Sequence, residues 1–344
     1  MSIQDLLPCP STDPALIYRV RDAIYAVDML TAGVVHFDVF TRLAEKPMSL
    51  QELCAALGTQ LRPTDAMTTL FSAMGLLEGG DGGFRPTMLA REHLVQGSPW
   101  SLQAYLGSYK DRPGCLELVG VLRTGQPASF ASKKDEKDWA RAMEDEAFAD
   151  KFTAAMDARG ACLAPALAEL VSLGDHARLL DIGGGSGIYA CAFASRNPHL
   201  RATVLEKPPV DRVTARWIAR RGLTDRVGVL AGDMLAEPLP GGYDVHLYSN
   251  VLHDWDVPLV KKLLEKSAEA LPPGGKLLIH DAHLNREKTG PIEVAEYSVL
   301  LMHTTEGRCY SIGEIEAYLN EAGFGGVEHH PTRASRSVIR ATKR

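Results

Sequence analysis

The sequence predicts an α/β fold in which a mostly parallel sheet, covered by helices, follows a smaller and mainly helical region. After Arg178, short apolar strands alternate with helices, which is typical of right-handed βαβ units in a parallel sheet. Before that residue, apolar side chains recur mostly at helical spacing. The length of 344 residues favours two domains over one.

The first region, residues 14–90, is predicted to form helices and one small β element. Apolar residues recur at helical spacing over 15–30 and 34–43, and Ser49 with Glu52 has the spacing of a capping box. A helix over 63–74 and a glycine-tipped hairpin over 76–85 complete the order of a winged helix. Such a module serves either DNA binding or packing and dimerisation. Arg62 alone supplies too little positive charge in the second helix to bind phosphates.

The second region supplies the strands of the sheet. Strands are predicted at 178–182, 202–206, 227–231, 244–249, 276–281, 326–330 and 335–341. Helices between them are predicted at 188–196, up to residue 221, at 257–270 and at 314–322. The last two strands are expected to form a hairpin that closes the sheet with an antiparallel strand.

Composition excludes several classes of function. A formal net charge of −6 argues against a nucleic-acid partner. Residues 1–10 contain no basic residue, and no apolar run approaches the roughly 20 residues of a membrane span. The six cysteines form no C-x-x-C pair, which argues against a disulfide framework or a zinc site. We therefore expect a cytoplasmic protein without a membrane attachment.

The most informative motif is a glycine-rich turn at residues 179–187, which read LLDIGGGSG. A glycine has no Cβ, so such a turn lets a ligand approach the backbone, and the helix that follows presents free N–H groups to it. A dinucleotide fingerprint requires another glycine where this chain has Ile188. The glycines at 183, 185 and 187 instead give the variant usually found where S-adenosylmethionine is bound.

Polar residues at the ends of the predicted strands extend this site, because ligands bind at the carboxyl ends of strands in an open α/β sheet. Glu206 could accept hydrogen bonds from both ribose hydroxyls, Asp233 could accept one from an adenine amino group, and Met234 could lie against the ring. The residues expected to bind the cofactor are Asp181, Gly183, Gly185, Glu206, Gly232, Asp233, Met234 and Ser249.

A base–orienter pair is predicted beside this turn. His253 follows the fourth strand, and the ordinary pKa of an imidazole, about 6.5, suits proton removal near neutral pH. Asp281 ends the fifth strand and could hold the ring in one tautomer. A metal site built from His280, Asp281, His283 and His303 is a weaker alternative, because neighbouring strand residues point to opposite faces. No metal is expected.

These motifs occur in the same order in the O-methyltransferases that act on caffeate, flavonoids and acetylserotonin, and the chain resembles that family over nearly its whole length. The resemblance is carried by Glu206 and by the segments 181–187, 232–234, 252–255 (LHDW) and 273–276 (PGGK). It implies a Rossmann-like class I methyltransferase domain with a mostly parallel seven-stranded sheet, preceded by a mainly α winged-helix dimerisation domain. The implied boundaries are 1–105 for dimerisation, 106–170 for a helical connector to the acceptor pocket, and 171–344 for catalysis.

The resemblance also implies a function. The cofactor would be S-adenosyl-L-methionine, the protein a homodimer, and the acceptor a hydroxyl of a small phenolic or polyketide-like metabolite. In that family, the histidine that matches His253 deprotonates the hydroxyl, and Asp281 stands where the first of two flanking glutamates is expected. The second should lie in segment 307–311, but Cys309 stands there with a thiol that is mostly neutral at pH 7. Glu306 is a neighbouring alternative.

Two alternatives remain open. Cys309 favours a C-methyltransferase of the same fold, acting on an aromatic or tetrapyrrole-like acceptor. From a different class comes a winged-helix regulator that senses a nucleoside-like ligand without catalysis.

On the acceptor side, soft or apolar side chains suited to a flat aromatic ring are Met156, Trp255, Leu301 and Met302.

Overall fold

The computed structural model describes residue 6 and residues 8–79, 82–128 and 143–344. The helices in these ranges are α1 Ala15–Asp22, α2 Ala26–Thr31, α3 Val39–Glu45, α4 Leu50–Leu57, α5 Leu61–Ala73, α6 Met88–His93, α7 Gln103–Gly107, α8 Pro113–Thr124, α9 Glu146–Leu170, α10 Ile188–Arg196, α11 Val210–Arg220, α12 Val257–Ala270, α13 Ile292–Thr304 and α14 Ile312–Glu321. The strands are β1 Leu77–Glu78, β2 Arg85–Pro86, β3 Arg178–Ile182, β4 Arg201–Glu206, β5 Val227–Ala231, β6 Val245–Ser249, β7 Lys276–Asp281, β8 Phe324–Pro331 and β9 Ser337–Lys343. A π-helical turn, Ala32–His36, continues α2.

Contacts divide the described part of the chain into two units. The sheet unit comprises Met1–Leu16, Asp138–His283 and Ile312–Arg344, and the helical unit comprises Ile17–Lys137 and Leu284–Ser311. Each unit therefore combines stretches that are distant in sequence. The domain boundaries after residues 105 and 170 stay a prediction.

The sheet unit is built on seven strands among the described residues, in the order β5-β4-β3-β6-β7-β9-β8. Strands β3 to β7 pair in parallel, and β9 pairs antiparallel with both β7 and β8. The predicted α/β fold with a mostly parallel seven-stranded sheet is confirmed. The order reverses between β3 and β6, and the crevice at such a switch point is where open α/β sheets bind ligands.

Helix α9 packs closely against the start of α10. A Cβ added to Gly160 would lie 2.6 Å from a side-chain methyl carbon of Ile188, so only glycine permits this approach. Asp145 begins the helix by accepting hydrogen bonds from the N–H groups of Ala147 and Phe148. The contact therefore fixes α9 beside the residue that directly follows the glycine turn.

In the helical unit, the start and end of α4 and the β-hairpin agree with the sequence prediction. The N–H of Glu52 donates to Ser49 Oγ (3.3 Å) and the N–H of Ser49 donates to Glu52 Oε2 (2.8 Å), which is the predicted capping box at the start of α4. Gly58 ends that helix with a φ of 66°. Strands β1 and β2 form the predicted antiparallel hairpin, while residues 80 and 81 of its tip lie outside the described residues.

Arg62 is engaged inside the helical unit. Its guanidinium donates hydrogen bonds of 2.7–3.1 Å to backbone carbonyls of Gly125, Met302, Thr305 and Gly307. These include carbonyls at the end of α13, which an arginine stabilises well. The basic side chain that the sequence offered in the second helix of the predicted winged helix is therefore bound to the protein's own backbone.

Among the described residues, no helix is both long enough and apolar enough to cross a bilayer.

Candidate active site

The glycine-rich turn joins β3 to α10 in the sheet unit. Gly183, Gly185 and Gly187 have φ values of 67°, 59° and 71°, a region that favours glycine. A Cβ on Gly184 would lie 2.5 Å from the carboxyl carbon of Asp181, so the turn also folds back tightly over that side chain. The turn forms a backbone cradle at the carboxyl end of β3 that is open at Gly185, where an added Cβ would have no atom within 4 Å.

Asp181 lies beneath this cradle and is fully buried. Its Oδ2 accepts a hydrogen bond from the N–H of Ala190 (3.2 Å), whereas its Oδ1 has no hydrogen-bond partner among the described residues. Burial raises its pKa to about 7, and the charge of Glu206 adds to the effect. A buried carboxyl oxygen without a partner suits a ligand that brings a donor or a positive charge.

Glu206 ends the neighbouring strand β4. Its Oε1 accepts a hydrogen bond from the N–H of Gly185 (2.7 Å), and its Oε2 accepts one from the N–H of Lys207 (3.2 Å). Burial raises its pKa to about 7, although both backbone donors favour the ionised form. The carboxylate is thus held directly beside the glycine turn.

The segment after β5 contains the remaining acidic residue and the methionine predicted to bind the cofactor. Asp233 Oδ1 accepts hydrogen bonds from the N–H groups of Leu235 and Ala236, and Oδ2 lies 3.5 Å from Lys207 Nζ. Burial opposes ionisation of Asp233, but the backbone donors and Lys207 outweigh it and lower its pKa. The sulfur of Met234 lies 3.7 Å from where a Cβ of Gly183 would be.

The structure brings His253 and Asp281 together. His253 Nδ1 and Asp281 Oδ1 are 2.5 Å apart, and both side chains are buried. Burial disfavours the aspartate's charge, but His253 outweighs it and lowers the pKa of Asp281 to about 2. Because an ionised carboxylate can only accept, Nδ1 carries the proton and the lone pair of a neutral ring lies on Nε2.

A second carboxylate lies on the other side of the ring. Asp254 Oδ1 is 3.6 Å from His253 Nε2, and the Asp254 side chain is 34% exposed. Burial raises the pKa of Asp254, while the charges of His253 and Arg159 oppose that shift. Asp254 was not among the predicted site residues, although it adjoins His253 in the motif.

Ser249 belongs to a buried polar network. Its Oγ forms hydrogen bonds with His280 Nδ1 (3.0 Å) and Asn250 Nδ2 (3.3 Å), and His280 Nε2 reaches Thr332 Oγ1 (3.1 Å). Burial lowers the pKa of His280 to about 3, so this ring is neutral at physiological pH. Both of its nitrogens are thereby used within the protein.

The metal alternative gains no support from the geometry. His283 Nδ1 pairs with Ser337 Oγ at 2.8 Å, and burial lowers its pKa to about 4. Within the described ranges, the histidine, cysteine and acidic side chains form no cluster of three or more that could hold a metal ion.

The residues predicted for the acceptor side fall in both units. Met156 on α9 and Trp255, which follows a short 3₁₀ turn, are half-buried in the sheet unit. Leu301 and Met302 are buried on α13 of the helical unit. Cys309 is fully buried in that unit, where its N–H donates to Ser298 Oγ (3.1 Å), and nearby Glu306 is exposed.

Comparison with known proteins places these features in context. The profile of the O-methyltransferase domain matches residues 117–325. The chain is 32% identical to the 3-hydroxy-5-methyl-1-naphthoate 3-O-methyltransferase of Streptomyces sahachiroi, over 91% of this chain and 90% of that one. It is 30% identical to the L-tyrosine C(3)-methyltransferase of Streptomyces lavendulae, over 83% and 80%. The crystal structure of an O-methyltransferase family 2 protein from Planctomyces limnophilus, in complex with apigenin, matches with a TM-score of 0.90, 35% identity and full coverage of both chains.

Proposed function

We propose that this chain, which belongs to the O-methyltransferase family, moves the methyl group of S-adenosylmethionine to a hydroxyl of a small aromatic metabolite, with His253 as the general base. The observation that carries this proposal is the pairing of His253 Nδ1 with Asp281 at 2.5 Å, at the carboxyl ends of β6 and β7. The enzyme is S-adenosylmethionine-dependent. When bound, this cofactor supplies a methyl group on a cationic sulfur, which is electrophilic towards oxygen.

The residues present suit such a cofactor. The glycine cradle leaves room against the backbone, and the buried oxygen of Asp181 has no partner within the described chain. Glu206 offers a carboxylate to ribose hydroxyls beside the same turn. We propose that the cofactor is held by Asp181, Gly183, Gly185, Glu206, Gly232, Asp233, Met234 and Ser249.

His253 would act on the acceptor through Nε2. With Nδ1 protonated and bound to Asp281, Nε2 can take the proton of a hydroxyl, and the acidic partner stabilises the imidazolium that forms. A positioned general base contributes about 10²–10⁴-fold to a rate. Alignment of the reacting groups supplies the larger part.

We further propose that Asp254 takes the place of the second flanking carboxylate. Cys309 offers a thiol where the resemblance leads us to expect a glutamate, and Glu306 is exposed. Asp254 Oδ1 lies 3.6 Å from the nitrogen that would receive the proton. Its carboxylate would orient the acceptor hydroxyl and favour the charged ring.

The acceptor is proposed to be a flat aromatic compound of secondary metabolism. The naphthoate methyltransferase and the protein crystallised with apigenin both have names that point to such compounds. Met156 and Trp255, which both lie in the sheet unit, are proposed to contact the ring, since methionine sulfur and apolar side chains favour aromatic edges.

The direct test is incubation of the purified protein with S-adenosylmethionine and a library of phenols and hydroxynaphthoates. We expect a mass gain of one methyl group, with the new methyl bound to oxygen by NMR. A panel without any methylated product would contradict the proposal.

C-methylation is the second candidate, and two observations favour it. Cys309 stands where a glutamate is expected, and the chain is similar to a tyrosine C(3)-methyltransferase. A product with its new methyl on a ring carbon would replace the proposed O-methylation by this alternative.

We expect cofactor affinity to weaken as the pH falls, because Glu206 has a pKa raised to about 7 and accepts ribose hydroxyls best when ionised. Protonation of one carboxyl weakens binding by at most about tenfold per pH unit below its pKa. Titration calorimetry with S-adenosylhomocysteine should therefore give a Kd about tenfold higher at pH 6 than at pH 8.

The matched control for this titration is Glu206→Gln, which cannot ionise. Its Kd should be higher at pH 8 and should vary less with pH. Asp181 also has a pKa raised to about 7, so Asp181→Asn separates its share. If the Kd of Glu206→Gln varied with pH as much as that of the wild type, the pH dependence could not be assigned to Glu206.

We propose that the protein is a homodimer formed through its N-terminal region. Leu16, Ile17, Val20 and Ile24 recur at helical spacing along α1 and just beyond it, and each is between 58% and 75% exposed. A contiguous apolar stripe of this kind is typical of an interface. A second copy of the chain would cover it symmetrically.

Val20→Asp should convert the dimer to a monomer, because a charge in the stripe cannot be buried without a partner. Size-exclusion chromatography with light scattering measures the mass directly. Gln51→Asp, which adds the same charge at an exposed position of α4, should remain dimeric. A monomeric wild type would end this proposal.

The reducing cytoplasm is the proposed location. All six cysteines, which lie in the described ranges, are free thiols.

A further inference from the structure

We propose that Arg221 is a positioning residue that couples the cofactor turn to helix α9, so that cofactor binding and the placement of α9 depend on each other. This inference rests on the proposed function, because the proposed function assigns the glycine-rich turn to cofactor binding and helix α9 to the acceptor side.

Arg221 follows α11 and is almost completely buried. Its Nη1 donates to the carbonyl oxygen of Ser186 (3.1 Å), and its Nη2 donates to Asp157 on α9. Its guanidinium also lies 5.3 Å from the ring centre of Trp217. The side chains of Arg221 and Asp157 are only 1% and 9% exposed. One guanidinium therefore joins the turn to α9 through a buried, charge-assisted pair.

The same helix holds the turn at a second point. Thr214 Oγ1 donates to the carbonyl oxygen of Gly185 (2.5 Å), next to the carbonyl held by Arg221. Gly187 packs against Val204 and Ile218, where an added Cβ would lie 3.1 and 3.2 Å away. With these carbonyls fixed from behind, the turn keeps the conformation that leaves its bare backbone accessible.

Helix α9 links this support to the reactive groups. Asp157 lies between Met156, proposed for the acceptor side, and Gly160, which packs on Ile188 at the end of the turn. Arg159, on the same turn of α9, acts through its charge on Asp254 beside His253. A displacement of α9 would therefore disturb both the acceptor side and the carboxylate at the base.

Coupling of this kind is reciprocal and typically changes affinities by 5–150-fold. We expect Arg221→Lys to raise the Kd of S-adenosylhomocysteine at least tenfold in titration calorimetry. A lysine keeps the charge but cannot bridge Ser186 and Asp157 in the same fixed geometry. The matched control is Arg220→Lys, since Arg220 is exposed and also lies over Trp217 (5.1 Å).

The decisive readout is hydrogen exchange of residues 146–160 with and without S-adenosylhomocysteine. In the wild type and Arg220→Lys, the ligand should slow exchange in this segment, and in Arg221→Lys that ligand-dependent change should be lost. A merely structural role would lower the melting temperature of the free protein yet leave the ligand-dependent difference. Asp157→Asn, which keeps an acceptor for Arg221, should show a reduced ligand-dependent difference and serves if Arg221→Lys does not fold.

Two results would overturn the coupling. One is an Arg221→Lys Kd within threefold of the wild type. The other is ligand-induced protection of residues 146–160 that persists in both Arg221→Lys and Asp157→Asn. Failure of the proposed function looks different, because the wild type itself would then not bind S-adenosylhomocysteine.

Discussion

Replacing His253 with alanine is expected to lower kcat by about 10²–10⁴-fold, the range that a positioned general base supplies. The imidazole is buried and held through Nδ1, so Nε2 is the only ring nitrogen that can take a proton from the acceptor. In the function proposed here, the methyl donor is bound at the glycine turn by other residues. Consequently the Kd of S-adenosylhomocysteine should stay within about threefold of the wild type.

The measurement pairs single-turnover rates of methyl transfer with titration calorimetry on the same preparations. His199→Ala is the control, because His199 is exposed in the loop between α10 and β4, at the opposite end of the strands. Turnover of His253→Ala equal to that of the wild type would show that His253 is not the base. A parallel loss of cofactor affinity would instead indicate damage to the fold.

Much of the sheet could be predicted because its local signals agree with its tertiary role. Strands Arg178–Ile182, Val227–Ala231 and Lys276–Asp281 have their predicted bounds, as do helices Ile188–Arg196 and Val257–Ala270. Helix Val257–Ala270 is amphipathic, and the other four elements are short runs of mostly apolar or small residues with glycine, proline or polar residues close to their ends. Such elements carry their period and their ends in their own sequence.

Helix Ile292–Thr304 could not be predicted in this way. Nine of its residues are buried, and they include Glu296, Ser298 and His303 beside the apolar ones. A helix buried on most sides has no polar face, so the 3.6-residue pattern disappears. Its polar residues are satisfied by distant partners instead, as when His303 Nε2 pairs with Glu117 at 2.9 Å.

The residues of the candidate site also differ in how far they could be predicted from sequence. His253 and Asp281 could be paired from sequence, because His253 follows one strand, Asp281 ends another, and the carboxyl ends of parallel strands meet at one edge of the sheet. Asp254 could not. Asn250, with a φ of 55°, redirects the chain after β6, and the 3₁₀ turn that follows brings Asp254 to the Nε2 side of the ring. That orientation depends on backbone angles that no spacing rule encodes.

The second large effect is expected from Asp281→Asn. The ionised aspartate fixes the proton of His253 on Nδ1, because a carboxylate can only accept a hydrogen bond. An asparagine can present its NH₂ group and favour the opposite tautomer, which places the proton on Nε2 and blocks that nitrogen. It also removes the charge that stabilises the imidazolium. The comparable change in a base–orienter pair lowers kcat by about 10⁴-fold, and we expect a loss of 10²–10⁴-fold here.

Asp281→Glu is the matched control, since it keeps the carboxylate on a longer side chain and introduces the glutamate that the resemblance leads us to expect at this position. It should retain most of the activity that Asp281→Asn loses. The ¹⁵N chemical shifts of the His253 ring report the tautomer directly, with the proton on Nδ1 in the wild type and on Nε2 in Asp281→Asn.

The pKa of Asp281 lies at about 2, below the ordinary value of 3.8, so its stabilisation of the fold is present above pH 4 and is lost only as the pH falls towards 2. The wild-type pair should therefore stay intact throughout the neutral range, and an Asp281→Asn enzyme within threefold of wild-type kcat there would remove Asp281 from the mechanism.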